Sequence, residues 1–345
     1  MPGKMLVTGA TGFLGSFVAR RAVQEGYDVR VIARASSDRS MLEGVNVEFY
    51  EADLTDYESL PGALEDIEVV VHAASHSGDW GPAEKYRAIN VVATEHLLVA
   101  AEQQESLRRW IHISSLGVYP AKHHYGTDET VQPDMRGLDG YTQTKAEGEV
   151  LVKRHIKENN LPGVILRPGF IYGPGERHAL PRLLKRFEQG IVKFIGNGQT
   201  VLNNVYVGNV VDAIFLAIDS EEALGELFNI RDERLVTREE YLMTVAEYLD
   251  RPRPGRVPLW LARMICPILE GWAKLRGATE SPLLTGATIK FMALNLDYSI
   301  DKAKRILGYK SNVDFQDGIK QALDFATGQN KELALLPPSQ VTSAD

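Results

Sequence analysis

Tyr141 and Lys145 lie four residues apart in the segment Tyr141-Thr142-Gln143-Thr144-Lys145, which opens a stretch with helical periodicity. Residues at this spacing share one face of a helix, so the phenol and the ammonium group are expected side by side. A phenol titrates at about pH 10, and a nearby cation favours the phenolate that proton transfer near neutral pH requires. We therefore predict that Tyr141 moves a proton and that Lys145 adjusts the pKa of Tyr141.

A pair of serines, Ser114 and Ser115, ends an apolar run upstream of Tyr141. The carboxyl ends of strands are where α/β sheets bind ligands. A hydroxyl there can hydrogen-bond a substrate oxygen as it passes between alcohol and ketone, and Ser115 is the better candidate of the two. The predicted catalytic residues are Ser115, Tyr141 and Lys145. Tyr141 and Lys145 are also expected to contact the cofactor, whose ribose hydroxyls Lys145 can hold. The alternatives are a chance surface pair and a serine that only caps a turn.

The segment Thr8-Gly9-Ala10-Thr11-Gly12-Phe13-Leu14-Gly15 places three glycines at intervals of three, between an apolar run and a helix-like stretch. The first glycine allows a tight turn, the second lets backbone approach a pyrophosphate, and the third lets the helix pack closely on the sheet. This position predicts a dinucleotide site, with an ordinary turn as the alternative. The predicted cofactor contacts are Gly9, Thr11, Gly12, Phe13, Leu14 and Gly15.

Arg34 ends the second apolar run, where NAD sites often carry a carboxylate for the ribose hydroxyl. A guanidinium suits the extra phosphate of NADP, and Ser36, Ser37 and Arg39 can add hydrogen bonds and charge. The cofactor is therefore predicted to be NADP(H). NAD(H) is the alternative, if these arginines are only surface charges.

Two further strand ends are candidates for cofactor contacts. Asp53 and Leu54 follow the third apolar run, where an acidic side chain can reach an adenine amino group. His72, at the end of the fourth run, is expected to pack within the sheet. The small residues after His72 leave room for the ribose and diphosphate; they are Ala73, Ala74 and Ser75.

Apolar runs and helical patterns alternate along the chain, which favours a parallel sheet covered on both faces. We predict an α/β fold with a Rossmann-type doubly wound sheet and a smaller C-terminal lobe. Residues 1–175 would bind the dinucleotide, 176–327 would form the substrate lobe with some segments returning to the first domain, and 328–345 would be a disordered tail. Predicted strands are 5–8, 29–32, 45–50, 69–74, 110–114 and 164–166, and predicted helices are 13–25, 85–103, 142–159, 180–189, 237–249 and 315–326.

The composition is that of an ordinary globular protein, with 44% hydrophobic and 24% charged residues among 345. The net charge of −8, without a basic stripe, argues against nucleic acid as a partner. The single cysteine, Cys266, has no Cys or His cluster nearby, so neither a disulfide nor a metal site is expected. Since no secretory pattern precedes the first apolar run, a cytoplasmic location is expected.

The segment 257–269 is almost entirely apolar, but it contains an arginine and is too short to span a bilayer. Pro258 and Pro267 are expected to break it. Two interpretations stay open: a core or lid helix, or a surface segment that touches a membrane or delivers a lipid-like substrate. Trp260 and Met264 indicate an apolar substrate pocket or its entrance, with core packing as the alternative.

In this order, the glycine segment, the paired serines and the tyrosine-lysine step resemble the extended short-chain dehydrogenase/reductase superfamily, also called NAD-dependent epimerases/dehydratases, over residues 4–327. The segment 167–175 is similar to the superfamily's segment after the sixth strand, which implies that Pro168 lies beside the nicotinamide and that Tyr172 is near the substrate. The helix at 90–94 is similar to one with a structural or substrate-facing asparagine, here Asn90, although alanine replaces the usual glycine at 93. The resemblance also implies a homodimer.

Three stretches are similar to the 3β-hydroxysteroid dehydrogenase and sterol-4α-carboxylate 3-dehydrogenase branch: 77–82, 281–285 and 301–309. The first implies substrate contacts from Ser77 and Trp80.

The chain departs from the nucleotide-sugar epimerases, which carry an arginine for the sugar diphosphate where Val201-Leu202 stands here. A buried diphosphate without its cation would bind poorly. We therefore predict hydride transfer between nicotinamide and a hydroxyl or ketone carbon of a bulky apolar substrate, either 3β-hydroxysteroid-like or a long-chain 3-oxo compound. The alternatives are a nucleotide-sugar epimerase or dehydratase, and a non-catalytic NAD(P)-binding sensor.

Overall fold

The computed structural model describes residues 3–78, 80–278, 281–282 and 284–330. Residues 331–345 of the predicted tail lie outside the described residues, as do Asp79 and Leu283 of the two shorter motifs. The strands are β1 (Lys4–Thr8), β2 (Asp28–Ala33), β3 (Glu48–Glu51), β4 (Val69–His72), β5 (Arg109–Ile113), β6 (His124–Thr127), β7 (Gly163–Pro168), β8 (Phe170–Tyr172), β9 (Lys193–Ile195), β10 (Val201–Leu202), β11 (Asn204–Tyr206), β12 (Leu227–Ile230), β13 (Val236–Thr237), β14 (Gly255–Val257) and β15 (Leu296–Tyr298).

Helices cover the strands on both faces of the sheet. They are α1 (Phe13–Gln24), α2 (Ala83–Arg87), α3 (Ala93–Ala101), α4 (Gly140–Glu158), α5 (Ala179–Glu188), α6 (Val207–Asp219), α7 (Arg238–Tyr248), α8 (Leu259–Leu275), α9 (Gly286–Ala293), α10 (Asp301–Leu307) and α11 (Phe315–Ala326), with a π-helical turn at Ala88–Val92 between α2 and α3.

The central sheet has seven parallel strands in the order β12-β7-β5-β4-β1-β2-β3. Successive side chains of a strand point to opposite faces, so Met5 and Val7 join a core that includes α1 and α6, whereas Leu6 joins a core that includes α3 and α4. Burial on both faces explains the continuous apolar runs. The predicted Rossmann-type α/β fold is confirmed.

Short strand pairs build the second lobe after β7. β8 pairs with β11, β9 with β14 and β6 with β15 in parallel, and β10 pairs with β13 in antiparallel. Part of the C-terminal half returns to the first domain, because β12 extends the central sheet beside β7 and α6 packs on α1. The predicted division of the chain into two domains stays a prediction.

Helix α8 differs from its prediction. It begins at Leu259, just after Pro258, and continues through Pro267, which was expected to break it. Ala262 and Cys266 are buried, but the side chains of Trp260 and Met264 lie on the surface, 67% and 55% exposed. Core packing, the alternative for these two residues, is therefore wrong, and a substrate pocket or its entrance stays a prediction. Within the described ranges, no helix is long and apolar enough to cross a membrane.

Candidate active site

The carboxyl ends of the central strands lie at one edge of the sheet, because the strands are parallel. The strand order therefore arranges residues that are far apart in the sequence into one row. The predicted adenosine, diphosphate and nicotinamide contacts follow one another in it, and the row runs Asp53 after β3, Arg34 after β2, Gly9 after β1, Ala74 after β4, Ser115 after β5 and Pro168 at the end of β7.

The turn between β1 and α1 has the close approaches that require glycine. Gly9 has a φ of +70°, and a Cβ there would stand 2.7 Å from the backbone nitrogen of Ala74. A Cβ on Gly15 would stand 2.3 Å from the carbonyl oxygen of Gly9. Gly12 is the N-cap of α1 and gives it no side-chain acceptor, so the positive end of the helix faces the turn without a protein anion. This cradle fits a dinucleotide diphosphate.

Thr11 and Phe13 of the same turn are partly exposed, whereas Leu14 is buried in the core. Thr8 fixes the cradle to β4, since its hydroxyl bonds His72 Nδ1 at 2.8 Å and accepts from the Ala74 N–H at 3.2 Å. Burial lowers the pKa of His72 to about 3, so this histidine is a neutral packed residue as expected.

The loop after β2 is exposed and basic. Arg34 and Ser36 are both exposed, and the Arg34 N–H donates to the Ser37 hydroxyl at 3.1 Å. The Arg39 guanidinium lies 4.4 Å from the centre of the Phe49 ring. The loop thus presents two guanidinium groups to solvent beside the predicted ribose position.

Asp53 faces this loop from the end of β3. Its carboxylate accepts from the Thr55 N–H and hydroxyl, at 2.9 and 2.8 Å. These hydrogen bonds, together with the nearby Arg34 guanidinium, hold the pKa of Asp53 below its usual range. Leu54 is partly buried against the adjoining core. An ionised Asp53 is the form that could accept a bond from an adenine amino group.

Asn90 fixes the segment after β4 by hydrogen bonds. Ala73 and Ala74 are partly exposed, and the Ser75 hydroxyl donates to Asn90 Oδ1 at 3.0 Å. The Asn90 amide donates to the Thr144 hydroxyl of α4 at 3.0 Å. Since Asn90 is 3% exposed and its side chain is occupied by protein groups, it supports the site from behind instead of contacting substrate.

Three predicted catalytic residues meet at the end of β5. Ser115 and Tyr141 are partly exposed, and the Ser115 hydroxyl lies beside the Tyr141 phenol. Ser115 Oγ also accepts from the Gly117 N–H at 2.9 Å. Lys145 is 4% exposed and donates from Nζ to the Ile113 carbonyl at 2.5 Å. The structure therefore brings together the set that the spacing predicted.

Burial sets the acidities within this set. It raises the pKa of Tyr141, and the neighbouring Ser115 hydroxyl partly opposes that rise. Burial also lowers the pKa of Lys145 to about 8, while the Glu149 carboxylate favours the ammonium form. A lysine with this pKa is still mostly cationic near neutral pH, so it can stabilise a phenolate on the neighbouring residue.

A buried ion pair that the sequence analysis missed lies directly beneath the site. Glu149 and Arg167 are both fully buried, with Nε and Nη2 of the arginine 2.7 and 2.5 Å from the carboxylate oxygens. Ser114 donates to the same carboxylate at 2.8 Å. Burial alone would raise the pKa of Glu149, but Arg167 and Lys153 outweigh it and hold the pKa below its usual range. Glu149 is thus a fixed anion one helical turn beyond Lys145.

Lys290 of α9 is a second residue that the sequence did not indicate. Its Nζ donates to the carbonyls of Gly117 and Tyr119 at 2.8 and 2.9 Å, just after Ser115. Burial lowers the pKa of Lys290 to about 8, and Asp139, the N-cap of α4, favours its charged form. This lysine ties the second lobe to the loop that carries Ser115.

Of the remaining predicted site residues, some lie at the protein surface and others are buried. Pro168 is buried where β7 ends, and Ser77 is exposed after β4. Trp80 is partly exposed and donates from Nε1 to the Ala278 carbonyl at 2.8 Å. Tyr172 is only 2% exposed, and its hydroxyl donates to Asp232 Oδ2 at 3.1 Å. This buried position gives Tyr172 a packing role in place of the predicted substrate contact.

A family model described as the NAD dependent epimerase/dehydratase family matches residues 5–230. The chain belongs to this family. The cradle and the Ser115, Tyr141 and Lys145 set both fall inside the matched range, and the sequence-based prediction of an NAD(P)-dependent enzyme is confirmed at this level.

Relatives over nearly the whole chain confirm the predicted likeness to the steroid branch of the family. The 2-alkyl-3-oxoalkanoate reductase of Shewanella oneidensis is 27% identical, covering 91% of this chain and 84% of the relative. The decarboxylating sterol-4-alpha-carboxylate 3-dehydrogenase of Candida albicans is 29% identical, covering 93% and 97%. The 3 beta-hydroxysteroid dehydrogenase/Delta 5→4-isomerase of Mycobacterium tuberculosis is 28% identical, covering 94% and 90%.

Solved structures share the fold of this family member. The crystal structure of gox2253 aligns with a TM-score of 0.78 at 26% identity, covering 95% of this chain and 99% of the other. The UDP-glucuronic acid 4-epimerase of Bacillus cereus, solved with NAD, aligns with a TM-score of 0.73 at 24% identity, covering 94% and 99%.

The cradle can be tested by adding a methyl group. Gly15→Ala should weaken dinucleotide binding at least about tenfold, because a Cβ 2.3 Å from the Gly9 carbonyl must displace the turn. Gly271→Ala is the control, since a Cβ there meets nothing within 4 Å. Titration of each variant with NADPH, followed by fluorescence, measures the affinity. Equal affinities in the two variants would contradict the assignment of the turn.

Proposed function

We propose that the protein is an NADP(H)-dependent dehydrogenase or reductase that transfers a hydride between the nicotinamide and a hydroxyl or ketone carbon of a bulky apolar substrate. The observation that carries this proposal is the position of the Ser115 hydroxyl beside the Tyr141 phenol, one helical turn from the buried Lys145. A proton-transfer group and an oxygen-binding hydroxyl, beside a dinucleotide cradle, are the parts that alcohol-ketone interconversion requires.

In the reductive direction, NADPH held at the turn of Gly9, Gly12 and Gly15 would supply a hydride for the substrate carbonyl carbon. Ser115 holds the carbonyl oxygen by a hydrogen bond, and Tyr141 donates its phenolic proton to that oxygen as negative charge develops there. Lys145 stabilises the resulting phenolate because its ammonium group lies on the same face of α4. The product is the alcohol, and oxidation runs through the same steps in reverse.

Apolar side chains favour an apolar substrate, because they occupy the position at which a sugar diphosphate would need a cation. By the family resemblance, Val201 and Leu202 of β10 stand at that position, and Leu202 is 2% exposed. Two relatives support an apolar substrate by their names. One is a 2-alkyl-3-oxoalkanoate reductase and the other is a sterol-4-alpha-carboxylate 3-dehydrogenase. We therefore propose a sterol-like or long-chain 3-oxo substrate.

Tyr141→Phe should lower kcat by about 10²–10⁴-fold, because the variant keeps the ring but loses the proton. The affinity for NADPH should change little, since the cradle is untouched. Tyr125→Phe is the matched control, with its side chain 76% exposed. Stopped-flow measurement of NADPH oxidation with a long-chain 3-ketone gives kcat and the affinity for NADPH. A Tyr141→Phe variant with normal kcat would refute this proton-transfer role.

NADP preference is tested at Arg34. Replacing Arg34 by Gln should weaken NADPH binding about ten- to hundredfold, as expected for loss of a bond to a charged group, and leave NADH binding nearly unchanged. Arg108→Gln, just before β5 at the opposite end of the sheet, is the control. Isothermal titration with each cofactor measures the effect. If the variant loses affinity for both cofactors equally, Arg34 does not select the phosphate.

A further inference from the structure

Helix α8 exposes a row of large apolar side chains. Residues four or three apart lie on one face of a helix, and here they belong to Trp260, Met264, Ile268, Trp272 and Leu275, which are between 54% and 85% exposed. The opposite face is buried through Ala262, Cys266 and Ala273. We call the exposed row the outer face of α8. Contiguous apolar surface of this kind marks a site of interaction.

Charge distinguishes this region from the rest of the chain. Between residues 251 and 276 the sequence holds six basic side chains and one acidic, whereas the whole chain has a net charge of −8. Helical periodicity places Arg263 and Arg276 at opposite edges of the outer face. The one acidic residue, Glu270, is only partly exposed and accepts from the Gly286 N–H at 2.9 Å. The outer face is therefore apolar at its centre and basic at its rim.

The helix adjoins the substrate side of the site. Just after α8, the Ala278 carbonyl accepts the bond from Trp80, which lies in the segment after β4. Glu270 binds the start of α9, and Lys290 of α9 binds the carbonyls behind Ser115. These contacts link α8 and the residues just after it to the catalytic loop.

We propose that the outer face of α8 docks onto the surface of an anionic phospholipid bilayer. Tryptophan and aliphatic side chains suit the boundary between head groups and acyl chains, and the flanking arginines suit lipid phosphates. The helix would lie in the interface, since α8 is too short to span. A second copy of the chain is a poorer occupant, because a symmetric contact would bring two basic segments together.

Docking would place the lobe that covers the site against the phase in which an apolar substrate dissolves. This consequence rests on the proposed function, whereas the docking itself rests on α8 alone. The two can fail separately, because vesicle binding needs no turnover and Tyr141→Phe leaves the outer face unchanged.

The test is co-sedimentation of the full chain with vesicles of phosphatidylcholine, with or without phosphatidylglycerol. The wild-type protein should sediment with the anionic vesicles and much less with the neutral ones. Ile268→Ser should weaken binding about tenfold, from the lost burial of one aliphatic side chain. Arg263→Gln should weaken it about fivefold on anionic vesicles only. Tyr125→Ser, an exposed aromatic outside α8, should bind like the wild type.

Light scattering of the same protein samples measures whether a second copy of the chain, the competing occupant, covers the outer face of α8. The proposal is overturned if the wild-type protein does not sediment with anionic vesicles, or if Ile268→Ser binds them as the wild type does. It is also overturned if the chain forms a dimer that Ile268→Ser dissociates. NADPH titration of each variant shows that the fold is intact, so a lost interaction with vesicles reports on the surface itself.

Discussion

The site depends on keeping a lysine charged inside the protein. A buried ammonium group loses its proton unless other groups compensate for lost hydration. Lys145 receives that compensation from the Ile113 carbonyl and from Glu149, and Glu149 in turn is held by Arg167. Removing one partner of such a buried pair typically costs about 3–5 kcal/mol. These contacts join α4 to β5 and β7, so the electrostatics of Tyr141 and the rigidity of the site have one origin.

Much of the site could be predicted from local patterns. The glycine spacing around Gly9 and the tyrosine-lysine step at Tyr141 are short-range signals, and each apolar run is a local signal of one strand. Such signals survive folding because backbone geometry alone fixes them. The order of the strands then brings the segments to one edge, as parallel α/β sheets require.

The sequence could not show contacts between distant segments. Lys290 donates to the Gly117 carbonyl, although more than half of the chain length separates the two residues in the sequence. No local pattern predicts such a contact. Glu149 carried a signal that went unused, since it lies one helical turn after Lys145 on the same face. The prolines around α8 misled the prediction, because Pro258 lies just before the helix and the helix tolerates Pro267 on its exposed side.

Net hydride transfer to an apolar ketone is the central claim, and isotope transfer tests it most directly. The protein would be incubated with NADPH deuterated at the nicotinamide C4 and, separately, with 3-ketosteroids, long-chain 3-ketones and nucleotide sugars. We expect deuterium on the carbinol carbon of an apolar alcohol, with one NADPH oxidised per product. Epimerised sugar without net oxidation of the cofactor, and no reaction of the ketones, would contradict the account.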